Sequence, residues 1–279
     1  MSEFDVLIQN ARIVDGSGKP AYRGSIGVKG DRVLAVGDVK GDAKEVIDAS
    51  KLTAVPGFID SHSHGDGSLP YYPLCENYVL QGVTAFVGGQ CGISPAPIGD
   101  MVSVPERLRR YFPELSVYKY YPERTLLPRD QVNEFVKKEF GWTIDWHTMG
   151  DYFNFLEKKG FSINYAPVVG HGAIRRLVMG EDYMRHSNKV EQAQMAGLIR
   201  QTMDDGCIGM SVGMTTTQMS SHPGMRSWSM LRSSRSMTRP SPPTLGAQTA
   251  GEISRWVTAS TTRSTASTRS STSAVGPRA

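Results

Sequence analysis

The sequence predicts an α/β fold: a small N-terminal β module followed by about the first half of a (β/α)₈ barrel. Three observations predict it. Residues 1–55 carry short Val/Ile/Leu-rich runs broken by turn residues. From Pro56 onward, apolar strands alternate with helical patterns, and small or metal-ligating residues stand at the strand ends. After Met214 that alternation stops. Alternating β and α units imply a parallel sheet with helices outside, and chemistry at strand C-termini is the habit of a barrel.

The β module comes first. "DVLIQNARIVDG" and "SIGVKGDRVLAVG" are β-prone runs punctuated by Asp15-Gly16 and Lys29-Gly30-Asp31, which read as hairpin turns. "KEVIDASKLTAVPG" continues the pattern. This stretch holds no cluster of acids, bases or ligands.

Residues 56–214 form the second region. Four barrel strands are expected: Phe58–Ser61, Val83–Gly88, Ile163–Val169 and Ile208–Met214. Helices are expected near Leu74–Leu80 with Gly82 as the stop, near Asp130–Phe140, over Thr148–Lys159 before Gly160, and from a Ser187 or Asn188 cap to Gly206. The long segment from Ser94 to His147 carries five aromatics between Tyr111 and Tyr121, which serve a lid or the packing of an insertion. Residues 215–279 hold 15 Ser and 12 Thr with no Asp, Asn, Lys, Phe, Tyr or Cys, a composition that predicts disorder.

Charge and composition exclude some functions. The chain of 279 residues has a formal net charge of +4, but residues 215–279 contain eight Arg and one Glu, a balance of +7. Subtraction (4 − 7) leaves −3 for residues 1–214, so no basic face for nucleic acid is expected in the fold. No apolar run is long enough to span a membrane, and no secretory leader opens the chain, so a cytoplasmic location is expected. Three cysteines do not make a disulfide framework.

The chemistry centres on "PGFIDSHSHGDG", Pro56–Gly67. His62 and His64 are two apart, so on an extended strand end both imidazoles project to one side and can share a cation such as Zn²⁺. A lone pair so spaced is more often two surface histidines beside a turn, but the flanking "PGFIDSHSHGD" changes that. Asp60 either orients a ring or faces away. Cys91 ends a second apolar strand among glycines; it is either a metal-stabilised thiolate or a small buried thiol. Two neighbouring strands that both end in ligand-type residues favour metal. His171, after the third strand, faces the same rim and is a candidate substrate contact or a loop-stabilising residue. Cys75 and Cys207 read as core, and His147 and His186 as solvent-facing at helix starts.

Pro-Gly-Phe-Ile-Asp-x-His-x-His at Pro56–His64, the run Gln81–Ser94 with Cys91, "APVVGHGAIR" at Ala166–Arg175 and "GCIGMSVGM" at Gly206–Met214 together resemble the amidohydrolase superfamily. Within it the chain resembles the N-acyl-D-amino-acid deacylases (D-aminoacylases), over residues 4–214. The resemblance implies that His62, His64 and Cys91 bind one or two Zn²⁺ ions. It implies hydrolysis of the amide of a small N-acyl-D-amino acid, with no nucleic-acid or membrane partner. The family's other ligands are histidines on strands five and six, and its general acid/base is an aspartate on strand eight; no residue of this chain is assigned those roles. A natural tail is one explanation of the stretch from Thr215, and a shifted reading frame, the one favoured, is another: one base moved from Thr215 permits a Tyr-x-Pro loop and a helix start, and from Pro242 to Gly246 it permits Thr-Pro-His-Ala-Arg. The alternatives are an inactive truncated fragment and a cyclic-amide hydrolase of the hydantoinase or dihydroorotase kind. Those enzymes bridge two metals through a modified lysine, and Cys91 stands against them.

Overall fold

The computed structural model describes residues 2–103 and 126–213. The aromatic run Tyr111–Tyr121 and the Ser/Thr/Arg-rich stretch from 215 lie outside the described residues. Those that are described form two compact units, one up to Phe58 and one from Ile59 onward.

The first unit is a five-stranded sheet. Strands β1 (Phe4–Ile13), β2 (Tyr22–Lys29), β3 (Arg32–Gly37) and β4 (Ala43–Asp48) lie in the order β3-β2-β1-β4, and β5 (Thr53–Ala54) pairs the end of β1. The expected turn at Gly30-Asp31 joins β2 to β3 as an antiparallel hairpin. Sequence patterning did not disclose that β4 and β5 run parallel to β1, with Val6 opposite Glu45 and Arg12 opposite Thr53. The β1–β2 register shifts between Ile8 and Ala11, where Asn10 takes φ 62°. Asparagine tolerates that left-handed geometry better than most residues, and the extra residue forms a bulge. Ala11, Ile13 and Ala49 form the small core.

The second unit carries four parallel strands: β6 (Phe58–Asp60), β7 (Val83–Gly88), β10 (Asn164–Gly170) and β11 (Gly209–Ser211). They stand in sequence order, β6-β7-β10-β11, as consecutive barrel strands do. Among the described residues β6 and β11 are the two edges, so the sheet does not close. Between β6 and β7 lies the single turn α1 (Glu76–Val79). After β7 come an antiparallel pair, β8 (Met101–Ser103) and β9 (Leu126–Pro128), then α2 (Arg129–Phe140) and α3 (Met149–Lys159). The chain then runs through β10, α4 (His171–Met179), α5 (Lys189–Asp205) and β11.

Local chemistry fixes these helices. α3 opens with a capping box between Thr148 and Asp151, and α5 with one between Asn188 and Glu191, which resolves the cap to Asn188 rather than Ser187. Gly141 and Gly160 end α2 and α3. The β8–β9 pair and α4 were not expected. α4 has no side-chain cap, and its opening Gly-His-Gly reads locally as a loop; the burial of all its first five residues, not its propensity, holds it in place.

The core of this unit runs beneath the sheet. The Phe86 ring stacks between Tyr78 and Tyr165, with centroids at 5.4 and 5.1 Å. Tyr152, Met149 and Leu156 of α3 and Met195 and Ile199 of α5 are fully buried. Cys75 and Cys207 are buried there too, and burial pushes the Cys75 thiol up to about 11, so both are inert core thiols. Among the described residues no helix is long and apolar enough to cross a membrane.

Candidate metal centre

The strand ends bring three expected residues together. The donor atoms of His62, His64 and Cys91 all lie within 4.8 Å of one another, and they are the one such metal-capable cluster among the described residues. His62 Nε2 stands 3.3 Å from Cys91 Sγ, and the two imidazole rings meet edge-on at 5.8 Å. Donors bound at about 2.0–2.3 Å to one tetrahedral zinc ion stand roughly 3.5 Å apart. The His62–Cys91 separation already has that value, and His64 needs only a small closure. Two imidazoles and a thiolate are a donor set suited to zinc.

Each donor is placed by its local backbone. Asp60 does not reach a ring; its carboxylate accepts the His62 backbone N–H at 3.1 Å and so turns the chain off β6. Between the histidines Ser63 points inward, where its N–H donates to the Val87 carbonyl (3.1 Å) and its hydroxyl pairs with Tyr78 Oη. That leaves His62 and His64 outward on the other side. Burial, and then the neighbouring His62, lower the His64 pKa, which favours the neutral imidazole a metal requires.

Cys91 sits on a sharp corner after β7. Its φ is 54°, in the left-handed region that side chains rarely adopt. Gly89, at φ +81°, passes so close to the Val168 carbonyl that any Cβ there would overlap it. Two ties hold the corner: Gln90 Nε2 donates to the Ser61 carbonyl (3.3 Å), and the Gly92 N–H donates to Ser211 Oγ (3.0 Å) while that hydroxyl donates to the Gly89 carbonyl. β6, β7 and β11 therefore all converge on the cluster.

His171 takes a different place from the one expected. β10 ends at Gly170, and His171 opens α4 at only 6% exposure instead of standing on an open rim. Burial, with Arg175 one turn along, pushes its pKa down to about 4, so it is a neutral buried imidazole. It is not part of the three-residue cluster. His147 is exposed and contacts the Arg129 guanidinium at 2.8 Å, away from this chemistry.

Sequence reasoning missed Asp66. It is 4% exposed, and burial pushes its carboxyl up to about 7 against the pull of three backbone N–H groups, from Gly67, Asp66 itself and Gly89. The available signal was its place two residues past the His-x-His. A cavity of about 730 Å³ opens beside His64, with Leu69, Tyr72, Leu74 and Tyr78 in its wall.

Comparison with known proteins places the chain among relatives. No protein-family model matches the chain. Over 213 residues the chain is 33% identical to an N-acyl-D-aspartate deacylase of Alcaligenes xylosoxydans xylosoxydans, a match covering 76% of this chain and 37% of the relative. A solved D-aminoacylase shares 29% identity with a TM-score of 0.62, over 78% of this chain and 40% of its own. The solved N-acyl-D-glutamate deacylase of Bordetella bronchiseptica, complexed with zinc and a phosphonate inhibitor, shares 25% identity with a TM-score of 0.62, over 84% and 42%. The chain belongs to the amidohydrolase superfamily. Its relatives there are the N-acyl-D-amino-acid deacylases, amidohydrolases acting on C–N bonds. It spans little more than a third of the length of the curated relatives it matches.

Proposed function

We propose that the chain carries the metal-binding half of a zinc-dependent N-acyl-D-amino-acid deacylase, which hydrolyses the amide to a carboxylate and a free D-amino acid. The observation that carries this reading is the convergence of His62, His64 and Cys91 from two adjacent parallel strands. A zinc ion held there would polarise the acyl carbonyl and acidify a water molecule. The two neutral imidazoles and the thiolate would hold the ion, and the strained corner at Cys91 aims the sulfur at it. Cys91 in place of a modified lysine supports the deacylase reading over the cyclic-amide hydrolases.

The general acid/base is not among the residues this reading assigns. We therefore infer that the 279-residue chain hydrolyses little, and that its Ser/Thr/Arg-rich stretch from Thr215 reflects a shifted reading frame. A gene restored by one base near the Met214 codon should cleave N-acetyl-D-amino acids, while the present chain binds about one zinc and releases little free amine. Zinc retained in full by Cys91→Ala, or an active present chain, would overturn this reading.

A further inference from the structure

The cavity beside His64 has a wall for which metal binding alone has no use. It holds about 730 Å³ and is lined by the loop that follows the His-x-His, from His64 through Leu69, Tyr72 and Leu74 to Tyr78. Backbone bonds fold this loop on itself. The Tyr72 N–H donates to the Ser68 carbonyl (2.9 Å), the Cys75 N–H to the Tyr72 carbonyl (3.1 Å), and the Ser162 N–H to the Pro73 carbonyl (2.9 Å). Rings hold its back: Tyr71 meets Phe140 and Trp142, both at 5.0 Å, and Tyr78 stacks on Phe86. Leu69 is buried, while Tyr72 and Leu74 are each 54% exposed. A formed apolar wall thus stands next to a metal donor, with two large side chains left more than half uncovered. Among the described residues that line the cavity there is no lysine or arginine, and the acid there is Glu76.

We propose that this cavity receives the acyl group of the substrate, and that the acyl group it selects is apolar and bulkier than acetyl. The inference rests on the reading of His62, His64 and Cys91 as ligands. An amide whose carbonyl lies at an ion held there has two ends to place. The amine end carries the α-carboxylate, and an anion buried against leucine and tyrosine with no cation, beside a second carboxylate, is disfavoured. The acyl end carries no charge, and its apolar surface gains by leaving water. Pockets of about 300–1,000 Å³ enclose most of a drug-sized ligand, so an acetyl methyl leaves this one largely unfilled. Tyr72 and Leu74, uncovered and on the wall, are the side chains a longer acyl group would cover.

The test loads the full 279-residue chain with cobalt(II) and follows the thiolate-to-cobalt absorption band that reports Cys91, so that only ligand on the ion is counted. The probes share a metal-binding head group: acetohydroxamate, hexanohydroxamate, and adipic monohydroxamate, whose chain ends in a carboxylate. Each methylene moved from water to an apolar wall is worth a factor of about three to four in affinity. Hexanohydroxamate should therefore bind at least about 20-fold tighter than acetohydroxamate, and the carboxylate-ended chain should forfeit most of that gain. Leu74→Asp and Tyr72→Ala should each cut the gain by about 5-fold or more, whereas Ile208→Asp, at an exposed apolar position just ahead of β11, should keep it in full. The probe series on the parent chain decides the matter should a wall variant not fold. Equal affinity for the acetyl and hexanoyl probes, in a chain that binds cobalt, sinks this inference alone. A carboxylate-ended probe that binds tightest overturns it as well, because the cavity would then take the amino-acid end. So does a gain that survives both wall variants or disappears in Ile208→Asp, because the chain of the probe would then lie outside the cavity. A parent that binds no cobalt removes the metal reading and this inference together.

Discussion

Cys91 combines a poor backbone conformation with the right side chain. A β-carbon at φ 54° costs on the order of 1 kcal/mol, and glycine would avoid it. Cys91→Gly should therefore raise the stability of the metal-free chain by up to about 1 kcal/mol in a thermal melt and abolish tight zinc binding in a titration. A variant that loses stability and zinc together would show that the corner is not strained. His171 makes the second prediction at this scale. Its folded pKa, about 4, lies below the ordinary histidine value of 6.5, so the unfolded chain binds more protons between the two. The stability from burying it neutral is present above about pH 6.5 and is lost as pH falls towards 4, by at most roughly 3 kcal/mol. Urea midpoints measured across that window should decline, and His171→Asn should flatten the decline. The cluster of His62, His64 and Cys91 was legible because two neighbouring apolar strands both end in residues of metal-ligating type. Asp66 was not, because a loop acid looks the same whether solvated or buried, and its burial depends on Tyr152, 86 positions away.

Elements with self-contained signals were read from the sequence, and those stabilised by tertiary packing were not. α3 and α5 announced themselves through caps and terminal glycines, and Thr148→Ala or Asn188→Ala should each cost about 1 kcal/mol in denaturant unfolding. A change of less than a few tenths would mean that packing alone sets those starts. The four parallel strands were legible as apolar runs with turn residues after them: β6 and β7 start where expected, and β10 and β11 each start one residue later. Their C-terminal ends were less clear: β6 stops at Asp60 because Asp60 turns the backbone, and β11 stops at Ser211 where its hydroxyl engages the Cys91 corner. α4 has neither cap nor clear period at its start, and only its buried first turn against the rest of the unit explains it.

At the level of the whole molecule, the apolar surface is the main physical fact. Phe58 and Ile59 on edge strand β6 are 56% and 70% exposed, and Ile208, just ahead of β11, is also exposed. Strands of a closed barrel are buried on both faces, and an open parallel edge presents unpaired N–H and C=O groups besides. The chain should bind a hydrophobic dye such as ANS strongly and associate as its concentration rises, whereas the frame-restored protein should do neither. A monodisperse, dye-silent 279-residue chain would contradict that expectation. The parallel sheet was legible in the alternation of strands and helices, while four strands in sequence order are common to several parallel folds.

One hydroxyl ties the last described strand to the cluster. Ser211 of β11 bonds both sides of the corner, at Gly89 and Gly92. Thermodynamic reciprocity then couples the two ends: whatever quiets the thiol corner also quiets β11, and a metal ion bound there would act as a clasp on the edge of the sheet. Amide hydrogen exchange at Gly92 and along residues 209–211 should slow on zinc addition, and Ser211→Ala should uncouple the two.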